Sequence, residues 1–185
     1  MEQRVEFNTE LIKRYDVAGP RYTSYPTAVQ FNDGFDAEAY RRHTAASNSE
    51  LIPKPLSLYV HLPFCKSLCY YCGCMKKVTR HEHQATHYLG LLNREIELQG
   101  ELFDHDREVV QLHFGGGTPT FHDDEELGRL MAQLGKHFSL SEADTREYSI
   151  EVDPRTVGMD RLGHLAELGF NRISLGVQDI DPKVQ

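Results

Sequence analysis

The chain has 185 residues, 39% of them hydrophobic, and a formal net charge of −8. That length supports one core and therefore a single-domain expectation. An acidic balance without a long Lys/Arg block argues against nucleic-acid binding through a basic surface. No apolar run approaches a membrane span, and the polar, acid-bearing start does not read as a signal peptide, so a cytoplasmic protein is expected.

Residues 1–55 are irregular and polar, punctuated by Gly19, Pro20, Pro26, Pro53 and Pro55, with one short helix expected near 37–46. We take this stretch as an N-terminal extension and 56–185 as a strand–helix domain. From Leu56 onward, strand-like runs at 56–61, 109–114, 148–152 and 172–176 alternate with helix-like runs at 84–99, 124–138 and 159–168. Asp123 reads as an N-cap and Gly169 as a C-cap. Such alternation predicts a parallel α/β sheet with right-handed crossovers.

Each strand has one apolar and one polar face. Leu58, Val60 and Leu62 oppose Ser57, Tyr59 and His61; Val110, Leu112 and Phe114 oppose Gln111 and His113. Ile150 and Val152 oppose Ser149, Glu151 and Asp153, and Ile173, Leu175 and Val177 oppose Arg172, Ser174 and Gln178. A flat doubly wound sheet would be apolar on both faces. The pattern instead predicts an open parallel (β/α) barrel with helices outside and a polar lumen. Four strands cannot close a barrel, whose complete eightfold form takes about 250 residues. The expectation is therefore the N-terminal part of a longer protein, inactive by itself and with a bare edge on the fourth strand.

All four cysteines, Cys65, Cys69, Cys72 and Cys74, fall within ten positions. A disulfide framework would spread its cysteines and need an oxidising compartment. Tetrahedral zinc takes two separated knuckles, or one knuckle with distant histidines. A C-x3-C-x2-C run puts three thiolates on one short loop, which suits three corners of an iron–sulfur cubane. Zinc and free thiols stand as the alternatives. Cys74 would have to wrap back across Gly73 to close the last corner, so the reading leaves one iron open to a non-protein ligand.

Other unusual residues also follow strands, where barrel sites gather. Gly115-Gly-Gly-Thr-Pro-Thr120 follows the second strand, Glu151 ends the third, and Gln178 and Asp179 follow the fourth. The triple glycine reads either as a tight turn or as backbone brought close to a ligand. Glu151 reads either as a lumen ion pair with Arg172 or as an acceptor for hydroxyls. His61 and His113 face the lumen, whereas His83 and His87, at i,i+4, lack the companions of a metal site. Lys76, Lys77 and Arg80 read as a solvated turn.

The cysteine run, its lead-in Leu58-Tyr-Val-His-Leu-Pro-Phe64 and Tyr71 resemble the radical S-adenosylmethionine (SAM) superfamily. Residues 19–27, the Cys72-Gly-Cys74 ending, 113–120, 150–155 and 169–179 resemble, within it, the oxygen-independent coproporphyrinogen III oxidases. The similarity covers the whole chain and about the N-terminal two-fifths of that enzyme. It implies a [4Fe–4S] cluster on Cys65, Cys69 and Cys72, with Tyr59, Gly116 and Glu151 on the cluster-bound SAM. Gly117, Thr118 and Gln178 would contact a second SAM. It implies decarboxylation of two propionates of coproporphyrinogen III to vinyl groups, through a 5′-deoxyadenosyl radical. A haem chaperone of the same superfamily is the alternative, although such proteins generally lack the 19–27 strap and the Cys72-Gly-Cys74 ending.

Arg21, Tyr22 and Tyr25 are candidates for substrate contact on chemical grounds, because a tetrapyrrole with four propionates needs cations. The rival reading is a proline-rich strap that only packs. A monomer is expected, and nothing in the sequence identifies the electron donor or acceptor.

Overall fold

A computed structural model of the chain describes residues 7–17, 27–181 and 183. Its two compact units are Met1–Ala37 and Glu38–Gln185. The expected division at residue 55 marks where strands begin, whereas compactness divides the chain after Ala37. In the first unit, α1 (Thr9–Tyr15) is capped by Asn8, whose side chain accepts from the Leu11 N–H at 2.9 Å. The sequence reading had no helix there.

Helix α2 (Ala37–Asn48) leads into the larger unit. The strands and helices that follow are β1 (Leu56–Leu62), β2 (Phe64–Cys65), β3 (Lys77–Val78), α3 (Glu82–Gly100), β4 (Glu108–Gly116), α4 (Asp124–His137), β5 (Ser139–Leu140), β6 (Glu147–Val152), α5 (Met159–Glu167) and β7 (Arg172–Leu175). The main sheet is parallel in the order β1-β4-β6-β7, with β5 also on β4, and β2 pairs with β3 separately. This sequential, all-parallel order is the expected α/β architecture.

The buried core is the apolar face of that sheet against the helices. Val60, Leu62, Leu112, Phe114, Ile150 and Val152 pack with Leu92, Ile96, Leu127, Leu130, Leu134 and Leu165. Burying each such side chain contributes about 1.5–3 kcal/mol relative to exposure. Helix α4 presents Leu127, Leu130, Met131 and Leu134 at i, i+3, i+4 and i+7, the spacing of one helical face. Its start is a full capping box between Asp123 and Glu126, as the Asp123 reading anticipated. Gly169, at φ +99°, ends α5: its N–H reaches Ala166 O at 3.0 Å, and Phe170 N–H reaches Leu165 O at 3.1 Å. That is a Schellman closure, and it delivers Phe170 edge-on to Phe114 with centroids 5.0 Å apart.

One facing assignment is corrected. The β1–β4 register skips Val110, with Leu56 opposite Val109 and Ser57 opposite Gln111. Such an irregularity re-aims side chains, so Val109 is fully buried and Val110 only half-buried. On β7, Ile173 and Leu175 are exposed.

Candidate functional site

The cysteine loop is a closed ring. Its neck is the parallel pair β2–β3, where Lys77 N–H donates to Pro63 O at 2.7 Å and Thr79 N–H to Cys65 O at 3.0 Å. Cys65 sits buried at the neck, Cys69 and Cys72 are half-buried, and Cys74 is exposed. A turn joins the middle pair, with Cys72 N–H on Cys69 O at 3.2 Å. Thr118 Oγ1 lies 3.5 Å from Cys65 Sγ as a donor.

The thiols differ electrostatically. Partial burial pushes Cys72 up, but the Cys74 backbone N–H, Lys76 and the Cys74 thiol outweigh it and hold Cys72 below the usual thiol range. Cys74 is pushed up by burial first, then by negative charge on Cys72 and by its own hydrogen bond to Cys72. Lys76 also donates to Cys72 O at 3.4 Å. It therefore serves the loop, contrary to the solvated-turn reading, whereas Lys77 and Arg80 are exposed.

Beside the ring, the polar faces of β1, β4 and β6 build a wall. The Tyr59 ring stacks on His113 with centroids 5.7 Å apart, and Tyr59 Oη is 3.0 Å from His61 Nδ1. His61 Nε2 lies 3.1 Å from Met75 O, tying the wall to the cysteine loop, and Tyr88 Oη donates to His61 O at 2.7 Å. His113 pairs with Ser149 Oγ at 2.6 Å and faces Glu151 Oε1 at 3.4 Å. Glu151 Oε2 accepts from Gly116 N–H at 3.1 Å. Burial, then the negative charge of Glu151 and Cys74, raises the Tyr59 phenol above its ordinary value. The ion-pair reading of Glu151 is overturned: Arg172 binds Glu147 at 3.0 Å, and Glu151 is left to the glycine run and His113.

The glycine run prolongs the β1–β4 contact beyond the strand ends. Gly117 N–H donates to Leu62 O and Thr118 N–H to Phe64 O, both at 2.9 Å. Gly116 has φ +111°, and a Cβ there would lie 2.5 Å from the His61 ring; one on Gly117 would lie 2.6 Å from the Pro63 carbonyl carbon. The close approach expected from three glycines is therefore already used by the cysteine loop and its lead-in strand. Gln178, also at positive φ (67°), and Asp179 follow β7, and Asp179 lies 3.5 Å from Tyr71 Oη of the cysteine loop. Arg21, Tyr22 and Tyr25 lie outside the described residues.

Sequence reasoning placed Ser149 on the polar face without a role and gave none to Tyr88 or Arg155. Arg155 grips Asp153 with two hydrogen bonds (2.9 and 2.7 Å) just past β6, and that grip lowers the Asp153 carboxyl. Its only signal was the Asp-Pro-Arg run after a strand. His83 and His87 line a cleft of about 390 Å³ with Tyr88 and Leu91.

The donor set, free thiols at Cys65, Cys69 and Cys72 on one short loop, fits a cubane. A cubane takes each thiolate on a different iron, so its ligands stand apart around a loop.

A Radical SAM superfamily profile matches residues 59–185. An oxygen-independent coproporphyrinogen III oxidase from Mannheimia haemolytica is 50% identical over 144 residues, 78% of this chain and 94% of that protein. The chain belongs to the radical SAM superfamily, in its oxygen-independent coproporphyrinogen III oxidase family. The Pseudomonas aeruginosa protein of that name is 48% identical over 185 residues, 100% of this chain and 40% of its own length. A solved Escherichia coli coproporphyrinogen III oxidase, described as a radical SAM enzyme, superposes with TM-score 0.81 at 45% identity, over 99% of this chain and 39% of that one. The chain thus spans about two-fifths of the length of these last two family members. The closed loop carries the C-x3-C-x2-C run, within the residues matched by that profile. Among the described residues no helix is long and apolar enough to cross a membrane.

Proposed function

We propose that this chain forms the cluster- and SAM-binding part of an enzyme that decarboxylates two propionates of coproporphyrinogen III without oxygen, giving protoporphyrinogen IX. The supporting observation is the cysteine ring tied, through His61 and Met75, to the Tyr59–His113–Glu151 wall. A [4Fe–4S] cluster with SAM supplies, when bound, the 5′-deoxyadenosyl radical that takes a hydrogen from a propionate β-carbon. Loss of CO2 and of one electron to an acceptor then completes each vinyl group.

This chain's residues do the positioning. Cys65, Cys69 and Cys72 hold three irons, and Cys74 stays outside the ligand set, donating to Cys72. Tyr59, fixed on His113, offers an aromatic face, and Glu151 keeps acceptor capacity for hydroxyls of the SAM ribose beside Gly116. Gly117, Thr118 and Gln178 line the place of a second SAM, with Thr118 also touching Cys65. Arg21, Tyr22 and Tyr25 hold the substrate carboxylates. The enzyme acts in the cytoplasm as a monomer.

The test is anaerobic incubation of the full-length, reconstituted protein with SAM, a reductant and carboxyl-labelled coproporphyrinogen III. Two labelled CO2 per porphyrinogen are expected. Retention of every carboxyl, with tight haem binding, would replace the enzyme with a haem chaperone.

A further inference from the structure

Between Leu62 and His81 the chain carries four cations, Lys66, Lys76, Lys77 and Arg80, and no acid. That leaves 16 of its 20 cations to face all 28 acids elsewhere. The acid-free segment is the cysteine ring itself. Among the described residues no carboxylate pairs with any of the four cations, although seven Lys or Arg ion pairs form elsewhere. Lys66 and Arg80 are exposed, as is Lys77, which lines the separate cleft of His83 and His87. Lys66, Arg80 and His81, with the hydroxyls of Ser67 and Thr79, line an open cleft of about 530 Å³. Two apolar side chains line the same cleft: Leu68 and Val78 are 59% and 43% exposed. The cleft shares no residue with the Tyr59–His113–Glu151 wall.

We infer that this basic outer face of the cysteine ring docks a small acidic protein that carries one electron, the donor that reduces the cluster. The inference rests on the functional reading above, which requires an electron to reach the ring while SAM and substrate occupy the wall side. Charge complementarity selects the partner. An acidic carrier is repelled by most of this acidic chain and drawn to the cations of this cleft, and such fields steer association and set its register. The exposed Leu68 and Val78 supply the apolar contact that a charged rim alone lacks. In the step itself one electron leaves the reduced carrier and enters the oxidised cluster; no bond forms or breaks.

The test uses the full-length, cluster-reconstituted protein and a reduced, acidic [2Fe–2S] ferredoxin, with cluster bleaching followed by anaerobic stopped flow. The variants are Lys66→Glu/Arg80→Glu, Arg80→Glu alone, and Lys136→Glu, an exposed cation in the last turn of α4. At low salt the double reversal should slow ferredoxin-driven reduction by about tenfold to a hundredfold. Arg80→Glu should slow it less, Lys136→Glu should leave it unchanged, and added salt should shrink the differences. Photoreduced 5-deazaflavin, too small to need a docking face, should reduce all four proteins equally. Equal ferredoxin rates in wild type and the double reversal, or equal slowing by Lys136→Glu, would overturn the docking face alone. A wild-type protein with no reducible cluster would overturn the functional reading and this inference with it.

Discussion

Cys69→Ser should give a protein that folds normally and holds less than one equivalent of iron after anaerobic reconstitution. Cys69 is half-buried on the loop and contributes nothing to the sheet–helix core. The contact it makes to the next cysteine runs through its backbone carbonyl, which accepts from Cys72 N–H and survives the exchange. A surface-type substitution moves stability by about 0.5 kcal/mol at most, so the apo proteins should melt within about 2 °C of each other. The cluster, by contrast, would keep only two thiolates on a ring that presents three. Iron and sulfide analysis beside a thermal melt separates the two effects. Full iron content in Cys69→Ser would remove this cysteine from the ligand set.

Gly116→Ala should cost roughly 2–5 kcal/mol, the sum of left-handed backbone strain and overpacking. At φ +111° an L side chain is disfavoured, and its Cβ would sit 2.5 Å from the His61 ring. His61 cannot retreat freely, because Tyr59 Oη and Met75 O hold its two ring nitrogens. The displacement would also disturb the Gly116 N–H contact to Glu151. Gly90→Ala is the matched comparison: it lies in α3 with nothing within 4 Å of an added Cβ. There the change should stabilise by about 0.4–1 kcal/mol. Denaturant melts of both variants measure the difference, and a Gly116→Ala protein as stable as Gly90→Ala would contradict the packing described.

Much of this architecture was legible because parallel strands that bury one face leave a period of two in the sequence. Leu112, Phe114, Ile150 and Val152 lie where that period puts them. The Asp123 cap and the Gly169 terminus were legible for a local reason, since capping depends on neighbouring residues only. What escaped depends on contacts between distant positions. A register skip moved Val109 inward at the expense of Val110, and nothing in a single strand announces it. The neck of the cysteine ring joins Cys65 to Val78 through two-residue strands, too short for any periodicity. Glu151 was singled out, yet its partner was misassigned. Arg172 on β7 sits opposite Ser149 and reaches Glu147 instead. Helix α1 has only seven residues and no buried side chain, too short for Leu11 and Tyr15 at i,i+4 to mark it.

The open corner of the cluster is tested most directly by Mössbauer spectroscopy on the full-length protein reconstituted with 57Fe, as wild type and as Cys74→Ser, before and after SAM. On the proposed ligand set, one iron of the four should shift its signal in both proteins when SAM is added, because three thiolates would hold the others and Cys74 would hold none. Four thiolate-bound irons in wild type, indifferent to SAM until Cys74 is removed, would contradict the account.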